Sequence, residues 1–582
     1  MSINADVDRD GVVDTAGDSV RVGKDSASAT FGALILPNIG VSGVSCPDSA
    51  STASANELES CHDAMDDIAH APENLAPVVV APMQLVSDKA TGTLTVDGDS
   101  QGKIRVFQKT DGGWTFVRPG TTFDSTALAG GIEFGIDSRD VVRDSAVWDG
   151  TVKIGMTVDD GDTSSSDSVT MVVAPIVLHN HTEKVSTLYT SQSGDRPEHQ
   201  RFASDLAAAL GNTKVDNELK IIGTEDNWAQ DYVEFGYVSM PAADGQVRSI
   251  EIAVRSPQPT RIGGRALFDL RGPNFGAVQT GGDGYRQVDS FGNLEVIPPY
   301  EHNGRSYPAG RIIYGNGGAQ SNMHEDVRTF FTSQQLQSPM VELDTSWLAI
   351  AHVDEFVQFL PADNARGWTI AVADPRSGLE LMKKAQRDGH GSEPAGSNAA
   401  KAGTSIDDLL ADQSFLDANS EAAAAIDANL EILMNETGVG RDEVVAVPGL
   451  YEKSGWTSAL VTNDASTDGS SDGKNAPEYT KPFDVNTATD GEVTYAPGTM
   501  GAFLPGAING IVVDSGTYFA PKQWGPVIDG TDIFDAAVRE VYAAHGMTVT
   551  LIDDYESHHA IGGEIHCGTN AVRAVRGNWW KL

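Results

Sequence analysis

Gly562-Gly563-Glu564-Ile565-His566-Cys567-Gly568-Thr569-Asn570 holds one of the chain's three cysteines; the other two, Cys46 and Cys61, lie far upstream. A thiolate attacks electron-poor carbon well, but a free thiol is mostly protonated at neutral pH, so a reactive cysteine needs positive charge or a histidine beside it. Adjacent His566 is the obvious partner. If the segment is extended, however, successive side chains point to opposite faces and His566 turns away from Cys567. A partner from elsewhere in the chain is therefore expected. The competing reading, a small buried apolar filler, describes most lone cysteines and yields only to support from other residues.

Two islands upstream supply that support. One is Glu225-Asp226-Asn227-Trp228-Ala229-Gln230-Asp231-Tyr232-Val233-Glu234-Phe235-Gly236-Tyr237, the other Ala351-His352-Val353-Asp354-Glu355-Phe356. His352 and Asp354 stand two apart, which on a strand puts an acid/base and a carboxylate on one face. Alone, such a pair is commonplace on protein surfaces. With Asp231 added the chemistry closes, because two carboxylates facing a guanidinium can each grip its fixed fork of N–H donors. That grip would hold the central carbon before Cys567 while His352 protonates the departing nitrogen and then activates water. Arginine is the natural ligand.

Trp228 to Tyr237, Asp289-Ser290-Phe291-Gly292-Asn293-Leu294-Glu295-Val296, His352 to Phe356, Gly525-Pro526-Val527-Ile528-Asp529-Gly530 and Glu564 to Asn570 together resemble the protein-arginine deiminase family, in order and in spacing. The resemblance covers residues 176–582. It implies a catalytic pentein domain there, a five-fold pseudosymmetric α/β propeller of ββαβ modules. It also implies hydrolysis of peptidyl-arginine to peptidyl-citrulline and ammonia through a covalent cysteine intermediate. By motif position Cys567 would be the nucleophile, His352 the acid/base, Asp231 and Asp354 the guanidinium clamps, and Trp228 a wall of the side-chain channel. Residues 1–175 resemble the family's middle, immunoglobulin-like domain. The further N-terminal domain usual in vertebrate members has no counterpart in the sequence.

Calcium is implied as well. One family site would take Gln230, Glu234 and Glu295 with backbone carbonyls of Phe291 and Leu294, and all five residues are present. A second site normally uses a glutamate directly after the catalytic aspartate and a downstream Asp-Ser pair, where this chain has Tyr232 and Arg255-Ser256. Arg255 is expected to place a fixed positive charge where that ion would sit. Just before the nucleophile the family commonly shows Arg-His, and this chain shows Ile561-Gly562, so substrate access is expected to differ. Nearby His558 and His559 could compensate but read as surface histidines.

The first residues carry a cation signal of their own. Asp6-Val7-Asp8-Arg9-Asp10-Gly11-Val12-Val13-Asp14 alternates carboxylates before a turn glycine, a pattern that gathers hard oxygen ligands from Asp6, Asp8 and Asp10 around calcium. The run begins like an EF-hand loop, but its twelfth position is Gly17 instead of a bidentate glutamate, and no helical pattern flanks it. From residue 91 onward short strands alternate: Val152, Ile154, Met156 and Val158 are separated by Lys153, Gly155 and Thr157. This predicts a β-sandwich that ends around Val172-Val173-Ala174-Pro175, with a polar insert over residues 45–75.

Beyond residue 176 strands mix with helices. Phe202, Leu206 and Leu210 predict one apolar helix face, Ile426, Leu430 and Leu433 a second that ends near Gly438, and Phe534, Val538 and Val541 a third that stops at Gly546. Residues 461–495 predict an exposed loop.

Composition bounds the partners. Against 82 acidic residues stand 40 basic ones, a formal charge of -42 over 582 residues, which argues against nucleic acid and favours cationic substrates or metal ions. Plain solubility is the rival explanation of that charge. No window has about 18 uninterrupted apolar residues, and no basic-then-apolar leader opens the chain, so no membrane partner and a cytoplasmic protein are expected, with secretion as the alternative. Cys46 and Cys61 could pair in an oxidising compartment. Two other functions compete with protein deimination: a free-arginine, agmatine or methylarginine hydrolase or amidinotransferase of the same fold, and a non-catalytic calcium-binding adhesion protein. Retention of all four polar catalytic candidates argues against the second.

Overall fold

Alternation builds the first half of the chain. In the strand Thr151–Asp160, Val152, Ile154, Met156 and Val158 are buried while Lys153 and Asp159 face solvent. The strand pairs antiparallel with Thr163–Val173 on one side, Ile154 opposite Val169, and with Thr91–Val96 on the other. Ala33–Ile35 and Thr122–Phe123 complete that five-stranded sheet; Ile3–Ala5, Ala76–Val80, Ile132–Ser138, Ile104–Thr110 and Gly113–Val117 form a second. Leu94, Val106, Phe134, Ile136, Ile154 and Met156, drawn from both sheets, share one core. Arg105, fully buried there, is met by Asp137 at 2.9 and 2.6 Å and by Asp66 and the Ile68 carbonyl at 3.1 and 3.0 Å.

The computed structural model describes residues 1–15, 24–40, 54–59, 61, 66–84, 86–97, 102–192, 196–213, 218–224, 226–258, 261–282, 287–317, 322–398, 400–453, 498–575 and 577–581. The loop expected over residues 461–495 lies outside them, as do Glu225, Cys46 and part of the polar insert. The described part of that insert includes the helix Ala55–Glu59, whose Leu58 is buried in a cluster with Tyr232 and Leu267 of the second half. Cys61 is disulfide-bonded and Cys567 is free.

Five mixed sheets follow, each joining an antiparallel pair to a parallel one. Val233–Pro241 and Val247–Arg255 are antiparallel, and Phe275–Gln279 adds parallel. The same pattern recurs in Leu294–Ile297, Arg311–Asn316 and Val341–Asp344. It recurs again in Val357–Pro361, Trp368–Asp374 and Val445–Pro448, and in Ile511–Asp514, Thr517–Pro521 and Thr548–Ile552. A parallel pair cannot be joined by a tight turn and needs a crossover, usually a helix. Glu325–Ser333, Gln413–Thr437 and Ile533–Ala544 lie in three of these crossovers. In the remaining sheet Val185–Ser191 pairs parallel with Glu218–Ile222, across the helix Pro197–Gly211, and antiparallel with Thr569–Arg573 from the far end of the sequence.

The helix faces follow their spacing. Phe202, Leu206 and Leu210 pack with Val185 and Leu188 of the adjoining sheet. Ile426, Leu430 and Leu433 are buried, and the helix ends on Gly438 at φ 74°. Phe534 and Val538 are buried and Val541 partly so, with Gly546 at φ 78° just past the end. Among the described residues no helix is long and apolar enough to cross a membrane.

Candidate active site

Cys567 lies in a turn that leads into the strand Thr569–Arg573, which corrects the extended reading of its segment. Gly568 N–H donates to the Glu564 carbonyl and Thr569 N–H to the His566 carbonyl, both at 3.0 Å, so the backbone curls. The alternation argument therefore fails here, and His566 and Cys567 reach the same group. His566 Nδ1 is 2.9 Å from Asp354 Oδ2, and Cys567 Sγ donates to that oxygen at 3.4 Å. The turn passes close to Trp228: a Cβ on Gly563 would lie 2.6 Å from its ring, so only glycine fits.

Asn509, which sequence reasoning missed, fixes the thiol. Its Oδ1 accepts the Cys567 N–H at 3.2 Å, and its Nδ2 donates to Cys567 Sγ at 3.3 Å and to the Asp354 carbonyl at 3.1 Å. Within Ala507-Ile508-Asn509-Gly510 it reads as turn chemistry, and nothing local marks it otherwise.

His352 and Asp354 share a pocket through a turn instead of a strand. His352 caps the single turn Val353–Glu355, and its backbone N–H donates to Glu355 at 2.9 Å. Its Nε2 lies 3.0 Å from the Gln287 carbonyl, an acceptor, so Nε2 carries a proton and Nδ1 is turned towards Asp231 Oδ1 at 3.7 Å. Asp231 sits on the short helix Ala229–Tyr232, tied to the Cys567 turn by Gln230 N–H donating to the Cys567 carbonyl at 3.1 Å.

Three polar atoms here are buried without a hydrogen-bond partner: Asp231 Oδ1, His352 Nδ1 and Asp354 Oδ1. Two of them surround Gly292, where a Cβ would stand 2.6 Å from His352 Nδ1 and 2.9 Å from Asp231 Oδ1, with the partnered Asp354 Oδ2 at 3.3 Å. Leaving such a group unsatisfied costs about 1–3 kcal/mol, a cost a ligand that brings donors can remove. Burial first, then the charges of Asp354 and Asp231, push the Cys567 thiol well above its ordinary value. A cation between those carboxylates would offset their share of that shift.

Arg261, also missed, donates to Asp231 Oδ2 at 2.5 Å and to Ser290 at 3.1 Å, and lies 3.4 Å from Asp226. It occupies one oxygen of the expected clamp and leaves the other facing His352. A cavity beside the thiol is lined by Glu355, Tyr451, Asn509, Glu564 and Cys567.

His558 and His559 are buried, which corrects their reading as surface histidines. His558 stacks on His199 at 5.8 Å and meets Trp228 edge-on at 5.4 Å. Burial pushes it down to about 3 and His559 to about 4, and both are neutral. His559 Nδ1 lies 2.9 Å from Glu564, whose carboxyl burial raises to about 8, so this contact is a neutral hydrogen bond and not an ion pair.

A free thiol, two buried carboxylates and an imidazole thus stand together. The protein-arginine deiminase family model matches residues 163–581. The chain belongs to the protein-arginine deiminase family. It is 31% identical over 427 residues to protein-arginine deiminase type-1 of Mus musculus and 31% over 431 residues to type-1 of Homo sapiens. With type-4 of Mus musculus it is 29% identical over 434 residues. Each match covers 72% of this chain and 57% of the relative, so the chain spans somewhat over half the length of these deiminases.

The family's calcium positions can now be compared with the residues in place. Gln230 Nε2 donates to Glu234 at 2.7 Å and to the Phe291 carbonyl at 3.3 Å; that carbonyl also accepts the Leu294 N–H. Glu295 joins them, with Oε2 2.7 Å from His181 Nε2 and Oε1, which has no hydrogen-bond partner, 3.3 Å from His566 Nε2. Burial and Glu295 raise Glu234 well above the usual carboxylate range. Calcium takes six to eight oxygens, and Gln230, Glu234, Glu295 and the Phe291 and Leu294 carbonyls could each offer one if the Gln230 amide and the two imidazoles released the carboxylates. At the second position the Arg255 guanidinium is fully buried and donates to Gln279 and to the carbonyls of Ser256, Gln258 and Arg261 at 2.9, 3.1 and 3.0 Å. Burial lowers it to about 9, which leaves it charged at neutral pH. Asp6, Asp8 and Asp10 bring carboxylate oxygens within 4.8 Å of one another, an oxygen-only set that suits calcium.

Proposed function

We propose that this chain hydrolyses arginine in proteins or peptides to citrulline and ammonia through a covalent bond to Cys567. The observation that carries the reading is the convergence of buried Asp231, His352 and Asp354 around Gly292, each with one unsatisfied polar atom, and with the thiol on the same Asp354 carboxylate. The five mixed sheets are proposed as the blades of a propeller and the two-sheet region as its immunoglobulin-like neighbour.

A guanidinium between Asp231 and Asp354 supplies the missing donors and favours the thiolate. The thiolate adds to the central carbon; His352, as imidazolium, gives its Nδ1 proton to the departing nitrogen, and ammonia leaves. The neutral imidazole then takes a proton from water, whose oxygen attacks the same carbon. The C–S bond breaks, citrulline is released and the thiolate is restored. Trp228 walls the channel against His558. No step is routed through calcium. Arg255 supplies the charge of the second family calcium position, so Arg255→Ala is expected to lose activity in chelator and regain it with added calcium.

An end-blocked arginine peptide decides the matter by mass spectrometry. A gain of about one dalton per arginine, with ammonia release abolished in Cys567→Ser, is expected. Turnover of free arginine or agmatine alone would transfer the reading to a small-guanidine hydrolase. No turnover of either would leave a binding protein.

A further inference from the structure

We propose that the two-sheet region binds a hydrocarbon chain that ends in a carboxylate, a free fatty acid of medium length. A cavity of about 790 Å³, part of it open to solvent, is lined from both sheets. Val96 of Thr91–Val96 lines it from one sheet, and Ile104, Val106, Phe116 and Val117 of Ile104–Thr110 and Gly113–Val117 line it from the other. Close-packed interiors hold few voids larger than a water molecule, and a cavity walled by aliphatic side chains stays dry and takes apolar molecules. A mostly apolar pocket of roughly 300–1,000 Å³ with a few polar groups placed together has the size and make-up of a small-molecule site. Gly113–Val117 is the outermost strand of its sheet, so a guest enters beside an edge without breaking a ladder of hydrogen bonds.

The rim sets the charge of the guest. Arg118 and Arg139 stand at the cavity with Asp67 as the one carboxylate among its described lining residues. Asp67 is 3.2 Å from Arg118 and 3.9 Å from Arg139, so two guanidiniums share a single carboxylate. Asp66 and Asp137 are held by Arg105. The rim therefore keeps a net positive charge in a chain whose total is -42, and a monoanion complements it. Burial, and after it the Arg105 charge, push the Arg139 guanidinium below its ordinary value, and an anion beside it reverses part of that shift. A carboxylate is the anion that a guanidinium fork takes on two parallel N–H bonds. Arg118 also lies over the Phe116 ring, 5.8 Å from its centre, so the charged and apolar parts of the site meet at one side chain.

Dodecanoate is the probe, titrated calorimetrically into the full chain below its micelle concentration. About one equivalent is expected, bound at least ~10-fold tighter than dodecanol, which keeps the body and lacks the charge. Acetate, which has the head alone, should show no uptake. Arg118→Glu reverses one rim charge at a side chain 75% exposed, so the fold is kept. It should weaken dodecanoate at least ~10-fold and leave dodecanol little changed. No uptake, equal affinity for dodecanol and dodecanoate, several equivalents, or unchanged affinity in Arg118→Glu would each overturn the assignment. So would a dimer that Arg118→Glu dissociates while dodecanoate stays unbound, which gives the groove to a second copy of the chain. None of these readouts depends on deimination.

Discussion

The two halves of the molecule treat buried charge in opposite ways. In the two-sheet region Arg105 is enclosed, and each of its nitrogens has an acceptor on Asp137, Asp66 or Ile68. Around Gly292, in the second half, Asp231, His352 and Asp354 are enclosed just as deeply and each has an atom with nothing to bond. Where satisfaction is complete the charge holds the fold together, and where it is withheld the charge waits for a ligand.

Substitutions should separate these roles. Asp354→Asn keeps the shape and removes a negative charge from the clamp. It is expected to lower kcat/KM by about 10³-fold or more, with a melting temperature equal to or above wild type, and equal losses of both would break the contrast. Arg105→Ala does the reverse. By leaving Asp137 buried and uncompensated it should destabilise the first region by about 3–5 kcal/mol in chemical denaturation, while the folded fraction retains its kcat.

A third test uses pH. His558 and His559 have folded values near 3 and 4, below the usual 6.5, so the unfolded chain binds protons that the folded one refuses. Their contribution is complete above pH 6.5 and is lost as pH falls towards those folded values; at pH 5 it amounts to a few kcal/mol, roughly. Glu564, raised to about 8, pulls the other way, so the readout is relative: between pH 7.5 and 5 the melting temperature of the wild type should fall against that of His558→Leu. The smallest expected effect is at Gly292, where Ala would press on His352 Nδ1; a fall of about 10² in kcat with little change in stability is expected, and an unchanged kcat would show that the atoms around it are not the reacting constellation.

Much of this was legible in residue order. Val152, Ile154, Met156 and Val158 alternate because one face of their strand meets the core, and a period of two is visible without coordinates. Asp231, His352, Asp354 and Cys567 could be chosen from their chemistry and motif position. What escaped depends on partners distant in the chain. Asn509 acts on a cysteine 58 residues later, Arg261 on an aspartate 30 residues earlier, and His181 on the distant Glu295, and none leaves a local period. The extended reading of the Cys567 segment failed because the strand begins only at Thr569, and the histidine pair was misplaced because burial of a neutral imidazole has no sequence signature.

Thr190 donates to the carbonyl of Gly568 across 378 residues of intervening chain, and the strand just past the nucleophile completes a sheet begun long before. During synthesis Asp231, His352 and Asp354 are made first, yet the thiol has no fixed place until that late strand docks. A nascent or C-terminally clipped chain is thereby left with these side chains unassembled.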